Sequence, residues 1–457
     1  MINRFLIVAG LLLFTPTVFA QIEEDAPEIE NEAEEAGQFT DIAKAGLKVN
    51  GYRLGEGLTV RSSEGGKVNL SAFMQTGFEM RNYEGDDQLY NRFRIRRARV
   101  RLTGDAYKEK IRYALGVDLV KGNSGDDANN SMLMDAWIGY RPFGSLLTLS
   151  IGQRSTPTDN RELFMSSFAL QLPDRSKLSS AFGTIREVGI FAESSFKVSK
   201  KGYLRPSIAI TDGDGPISTA PRYGGLKYGA RLSYLPFGLF KMGGDSRQGD
   251  MFYELSPKLN ISVAASYNNG AIDRKGGNGG SPILYYNDLD QVVLPNFTKF
   301  IADFHFKYLG FSLLGEYVKT HVDVPGTITQ RARNSAAPSR DFIIDGEQNV
   351  AGYIRNRMMV GSAFNIQGGY FFRNYWSVDA RYTHFMPEKY SYLNNDLYYN
   401  RKDFYEIGIT KYLTRSHSVK VQLSYTLINP DGPSRKLNGD AFSGMEGLTN
   451  LLMQIRF

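Results

Sequence analysis

Residues 91–102 read NRFRIRRARVRL, six arginines in twelve positions. Arg92, Arg94 and Arg96 alternate with Phe93 and Ile95, and Arg97, Arg99 and Arg101 alternate with Ala98, Val100 and Leu102, so the two halves have opposite phase. A helix would scatter these arginines around its circumference, whereas a strand with a one-residue bulge at Arg96/Arg97 puts every arginine on one face and every apolar side chain on the other. The stretch therefore predicts a bulged β-strand with one oily and one strongly cationic side.

Clustered arginine suggests a nucleic-acid surface first, but the N-terminus argues against it. Residues 1–20, MINRFLIVAGLLLFTPTVFA, have a basic Arg4, an apolar run from Phe5 to Phe14, and Val18 and Ala20 before a cut. That is the pattern of a secretory signal peptide, too short and too Pro-broken for a membrane-spanning helix, and an exported chain does not meet chromosomal DNA. The next residues, QIEEDAPEIENEAEEAGQ, carry eight acids between Glu23 and Glu35 and no base, so residues 21–67 are expected to form an acidic flexible periplasmic segment and linker. Setting aside Arg4 and those eight acids, the 54 basic and 48 acidic residues become 53 and 40, which makes the remainder strongly cationic. With no Cys, the chain is neither a disulfide scaffold nor a lipoprotein acylated on a mature N-terminal Cys.

No other segment is apolar enough to cross a bilayer as a helix, yet Tyr (27), Phe (29) and Gly (47) are abundant, as expected for alternating strands with aromatic girdles. Ile111, Tyr113, Leu115, Val117 and Leu119 alternate with Arg112, Ala114, Gly116 and Asp118, and Val421, Leu423, Tyr425 and Leu427 alternate with polar residues. The chain ends NLLMQIRF, with Leu451, Met453, Ile455 and Phe457 on one face, which resembles the sorting signal of Gram-negative outer-membrane barrels. Connections also alternate. Short ones fall at 105–110, 142–145, 197–202, 308–310, 372–375 and 413–418. Longer polar ones fall at 82–90, 122–131, 155–184, 211–225, 268–297, 323–355, 386–401 and 429–444, and 236–255 is unexpectedly long for the short-turn side. This layout predicts an all-β fold, a transmembrane antiparallel β-barrel of about 16 strands over residues 68–457, wide enough for a water-filled lumen. Exposing arginine to lipid costs about 2–4 kcal/mol near the midplane, so the arginine face turns to the lumen. Val100 and Val117 then face lipid, and Arg99 is expected to face water and to tolerate replacement by Gln.

FRIRRARVRLTG (93–104), IRYALGVDL (111–119), DAWIGYRPFG (135–144) and GQRSTPTDNRELFMSSFALQLPDRSKLSSAFGTIREVGI (152–190) together resemble the phosphate-selective porin O and P family. The resemblance implies a sixteen-stranded, usually trimeric outer-membrane porin whose third extracellular loop folds into the lumen and whose arginines and lysines pass anions, phosphate among them. Arg97, Arg99 and Arg101 fit the family's basic strand, and Arg94 and Arg112 join them as expected pore-lining residues. Loop 155–184 holds Arg161, Arg175 and Lys177 but also Asp159, Glu162 and Asp174. Its apolar Leu163, Phe164, Met165, Phe168, Leu170 and Leu172 would be a sticky patch in the medium, so the loop is expected to fold inward and constrict the pore.

Each motif also has a purely structural reading. The arginines of 91–102 can pair with wall carboxylates such as Glu79 or Asp118, and N-R-E (160–162) and D-R-S (174–176) can anchor the loop through ion pairs. DGDG (212–215) lacks the later ligands of a calcium loop and reads as a turn. His305, His321, His384 and His417 have no metal-ligand spacing, and GGNGG (276–280) does not follow a strand-to-helix turn, so neither a metal nor a cofactor is expected. The expected partners are small anionic solutes, outer-membrane lipid and lipopolysaccharide, and two further copies in a homotrimer. Two other functional classes compete with passive diffusion: an outer-membrane barrel enzyme of protease or phospholipase type, and a non-conducting scaffold or adhesin barrel.

Overall fold

The computed structural model describes residues 47–62, 66–120, 132–213, 215, 224–271, 274–275, 283–333, 337–395, 400–430 and 432–457. The expected signal peptide and acidic tail, and the loop at 122–131, lie outside these residues.

Among the described residues sixteen long strands form one closed antiparallel barrel. They are β1 (Lys67–Tyr83), β2 (Tyr90–Ala106), β3 (Ile111–Asp118), β4 (Leu133–Tyr140), β5 (Leu147–Ser155), β6 (Arg186–Ser194), β7 (Tyr203–Thr211) and β8 (Lys227–Leu235) in the first half. The second half is β9 (Lys258–Asn268), β10 (Asn296–Tyr308), β11 (Phe311–Asp323), β12 (Gly361–Phe371), β13 (Trp376–Pro387), β14 (Arg401–Tyr412), β15 (Val419–Pro430) and β16 (Glu446–Arg456). Each strand pairs with the next, and β16 returns to β1 with Leu451 opposite Phe78. The terminal Phe457 completes the seam through two backbone hydrogen bonds with Ala72. Within the expected linker, Gly57–Ser62 forms a short strand that pairs with the start of β1.

The bulge falls where the sequence phase reverses. Gln75 faces Arg97 and Thr76 faces Ile95, which leaves Arg96 as the extra residue. Phe93 and Ile95 are exposed outside, while Arg97 is buried inside. The other strands repeat this inversion of a soluble core. On β9, Asn260, Ser262 and Ser266 are buried and Ile261, Val263 and Tyr267 are exposed, because the outer face is solvated by lipid tails. Exposed Tyr107, Phe143, Phe311 and Phe372 cluster at the short-turn end, where aromatic rings form an interfacial belt. Leu309 and Gly310, both at positive φ, close the tightest of these turns.

Ile138, Ile151 and Ile190 stand side by side across β4, β5 and β6, each more than half exposed. Arginine at Ile151 is expected to lower barrel stability by about 2–4 kcal/mol, read from urea midpoints in lipid vesicles. Gln at Arg101, whose side chain is 51% exposed, should move the midpoint little. The reverse ranking would mean the faces are misassigned.

The connection between β8 and β9, residues 236–257, is long although it leaves from the short-turn end. It bonds to the 155–184 segment: Ser166 N–H donates to Ser246 O (3.0 Å), Gln248 N–H donates to Ala169 O (3.0 Å), and Gln248 Nε2 donates to Glu162 Oε1 (3.0 Å). Gln248 is buried, and its amide oxygen accepts from Gln171 N–H and from Gln367 of β12. The excess length therefore serves to reach side chains far from the turn.

Candidate functional site

Segment 155–184 connects β5 to β6 and holds two short helices, α1 (Arg161–Phe164) and α2 (Lys177–Phe182), the latter capped by the Ser176 hydroxyl on Ser179 N–H. Most of it is buried, and its partners come from widely separated strands. Arg161 and Arg231 of β8 share Asp303 of β10, each at 2.5 Å. Lys299 of β10 binds Asp159 at 2.8 Å and donates to Phe182 O. Lys420 and Gln422 of β15 donate to the carbonyls of Leu170 and Gln171, and Gln454 of β16 donates to Phe168 O. Glu162 accepts from the N–H and hydroxyl of Ser176, and Asp174 pairs with Arg96 (2.6 Å) and Arg94 (3.3 Å) of β2. The N-R-E and D-R-S motifs are thus ion-pair and hydrogen-bond anchors. The apolar residues are accommodated as well: Leu178, Ala181 and Phe182 pack in one cluster with Ile301, Val318, Phe385 and Phe404.

With that segment bound to β8–β16 and, through Asp174 and Ser167, to β2, the remaining space runs along β1–β9. It is a cavity of about 520 Å³ lined by nine arginines and three carboxylates. The arginines are Arg99, Arg101, Arg154, Arg161, Arg175, Arg186, Arg205, Arg231 and Arg456, set against Asp135, Glu193 and Asp245. Ion pairs fix several of them: Arg154 with Glu193 (2.6 Å), Arg186 with Asp135 (3.0 Å) and Arg205 with Asp245 (2.5 Å). Arg175 instead donates to backbone carbonyls of Glu162 and Met165 and to Ser167. Burial lowers its guanidinium to about 10, with Glu162 opposing that shift, so it is still protonated at neutral pH. Burial alone would raise the Asp174 carboxyl, but Arg96, Arg97 and Arg94 hold it well below the usual carboxylate range. Beyond Arg175 lies a second, much smaller cavity lined by Asp174, Lys177, Arg381 and Glu406.

Of the residues the sequence nominated, Arg99, Arg101, Arg161 and Arg175 come together on the large cavity and Lys177 lines the small one. Arg94 binds Glu79 (3.0 Å) and Asp174, Arg97 is buried against Gln75 (2.6 Å), and Arg112 faces Asp105 in the β2–β3 ladder; none of the three lines either cavity. Arg154, Arg186, Arg205, Arg231 and Arg456 were not nominated. Arg231 alternates with Tyr228, Ala230, Leu232 and Tyr234, so strand phase applied beyond residues 91–119 would have found it.

The contacts of Arg99 argue against the expected tolerance of Arg99→Gln. Arg99 Nε donates to Asp118 at 2.7 Å and its Nη1 donates to Ser167, while the Asp118 side chain is only 3% exposed. Removing the cation leaves a buried carboxylate without its charge partner, a loss of about 3–5 kcal/mol for such pairs. The urea midpoint of R99Q is therefore expected to fall, with partial recovery in the double variant R99Q/D118N.

Residues 68–259 match the model of the family described as phosphate-selective porin O and P. No curated protein matches the sequence. Similar solved structures include the outer membrane channel DcaP of Acinetobacter baumannii, at 12% identity over 87% of this chain and 99% of that one, with a TM-score of 0.48. OprB of Pseudomonas putida is 11% identical over 93% and 97% (TM-score 0.49), and an anion-selective porin from Comamonas acidovorans is 11% identical over 86% and 99% (TM-score 0.47). The barrel and the family model together describe an outer-membrane channel of the Gram-negative type.

Proposed function

We propose that the protein passes small solutes by passive diffusion with a preference for anions, through the lane between segment 155–184 and the β1–β9 wall, and that this segment is the constriction. The observation that carries the reading is the lining of nine arginines against three carboxylates. Fixed charge on a narrow, low-dielectric wall concentrates counter-ions of the opposite sign and sets which ion conducts. The many strands that bind segment 155–184, from β2 to β16, support its lumenal position. The sequence resemblance adds a homotrimer as the expected assembly, to be read by cross-linking in detergent.

The test is the zero-current potential of the reconstituted protein across a KCl gradient. A sign that reports chloride as the faster ion is expected; cation preference or absence of current rejects the proposal. The competing reading is a hydrolytic barrel. His384 lies 2.6 Å from Asp403, a pairing that hydrolases use, but it alternates with the buried Arg381, Thr383 and Phe385 and so belongs to the outer face, with the Tyr382 hydroxyl on the same carboxylate. Turnover of a lipid or peptide ester by the pure protein would favour the hydrolase.

A further inference from the structure

We infer that the lane selects singly charged organic acids with a flat apolar body, aromatic carboxylates being the type, over inorganic anions such as phosphate; this rests on the anion-channel reading above and names its solute class. The cavity wall is not uniformly polar. Phe73, Trp137, Phe164 and Phe168 line it together with the arginines. Within the otherwise buried stretch from Thr156 to Pro173, the residues left partly exposed are Phe164, Ser166 and Phe168, so the segment presents two rings to the lane while it buries its leucines.

Every one of these rings carries a guanidinium over it. Arg456 lies 4.0 Å from the centroid of Phe168, Arg231 5.1 Å from Phe164, Arg154 5.2 Å from Trp137 and Arg99 5.6 Å from Phe73. Phe73 and Phe168 meet edge to face at 6.2 Å, which joins two of these pairs into one patch. A guanidinium held by its face still offers in-plane N–H groups, and their fork matches the two oxygens of a carboxylate. Among the described residues Arg456 has no carboxylate within 4.0 Å, so its fork is not already taken by an acid. A flat acid can place its carboxylate on that fork and its body against the neighbouring rings. A compact, strongly hydrated phosphate would have to give up water along ring faces that return no hydrogen bond. The aromatic positions thus favour the organic anion, and the arginines supply the sign.

The experiment compares zero-current potentials of the full-length protein in planar bilayers under bi-ionic conditions, with chloride on one side and acetate, benzoate or phosphate on the other. Benzoate is expected to permeate better than acetate although it is larger and diffuses more slowly in water, and phosphate is expected to permeate least. In the double variant Phe164→Leu/Phe168→Leu, which keeps apolar bulk and removes the rings, the benzoate-to-acetate permeability ratio should fall roughly three- to tenfold, as expected for lost ring contacts. A wild-type ratio at or below that of free diffusion, phosphate permeating as well as benzoate, or an unchanged ratio in the variant overturns the inference. The wild-type comparison stands even if the variant fails to assemble. Cation preference in KCl alone would instead reject the channel reading on which the inference rests, so the two failures are distinguishable.

Discussion

Glutamate at both Arg101 and Arg456 is expected to carry the zero-current potential most of the way from the anion side toward zero. The lining would change from nine arginines against three carboxylates to seven against five. These two positions are chosen because neither substitution leaves a buried acid unpaired. Arg101 is 3.8 Å from Asp135, which keeps Arg186 at 3.0 Å, and Arg456 stands over a ring. Perfect selectivity gives about 59 mV per tenfold gradient, and the double variant should shift the potential by roughly 10–30 mV of that range. Charge reversal at Arg97 should do less, since that side chain is buried against Gln75 and has no contact with the lane. An unchanged potential in R101E/R456E would mean that selectivity is set elsewhere.

Deleting residues 160–178 is expected to raise single-channel conductance severalfold and to weaken selectivity. The deletion removes α1, the Arg161 and Glu162 anchors and the two rings on the lane, and it frees Asp303 from Arg161, Lys420 from the Leu170 carbonyl and Arg231 from the Phe164 ring, while Asp159 and Phe182, the partners of Lys299, remain. In a packed interior such orphaned charges would unfold the protein. Here the emptied lumen fills with water and hydrates them, while the strand pairing and the lipid-facing belt are untouched. Retained heat-modifiable gel mobility would report the assembled barrel. An assembled deletion variant that conducts like the parent would place the constriction in another element, and the connection 236–257, which bonds to this segment through Gln248, is the next candidate.

Strand phase was legible because it is local. In residues 91–102 the reversal of alternation marks the bulge, and only one phase keeps arginine out of lipid; the same logic gave the outward faces of residues 111–119 and 421–427 and the sixteen strands. The short and long connections followed from composition, because turns need few residues and particular φ values. What an inward arginine does was legible only in part: the pairings with Glu79 and Asp118 that the sequence offers are present for Arg94 and Arg99. Arg97 and Arg101 have the same phase four residues apart, yet one is sealed against Gln75 and the other lies open on the cavity, because the side chains opposite them come from residues 75 and 135. The division of labour among the arginines depends on contacts between positions tens to hundreds of residues apart, such as Arg161 with Asp303 or Leu170 with Lys420. Closure of the barrel also brings arginines from both ends of the sequence, Arg99 and Arg456, onto one aromatic patch. The sequence by itself determined which face of each strand meets lipid, since that is a matter of period two and the cost of charge in hydrocarbon. Only the tertiary structure decided which inward charges are neutralised and which remain for a solute, since that depends on distances set by closing the barrel and by the contacts of segments 155–184 and 236–257.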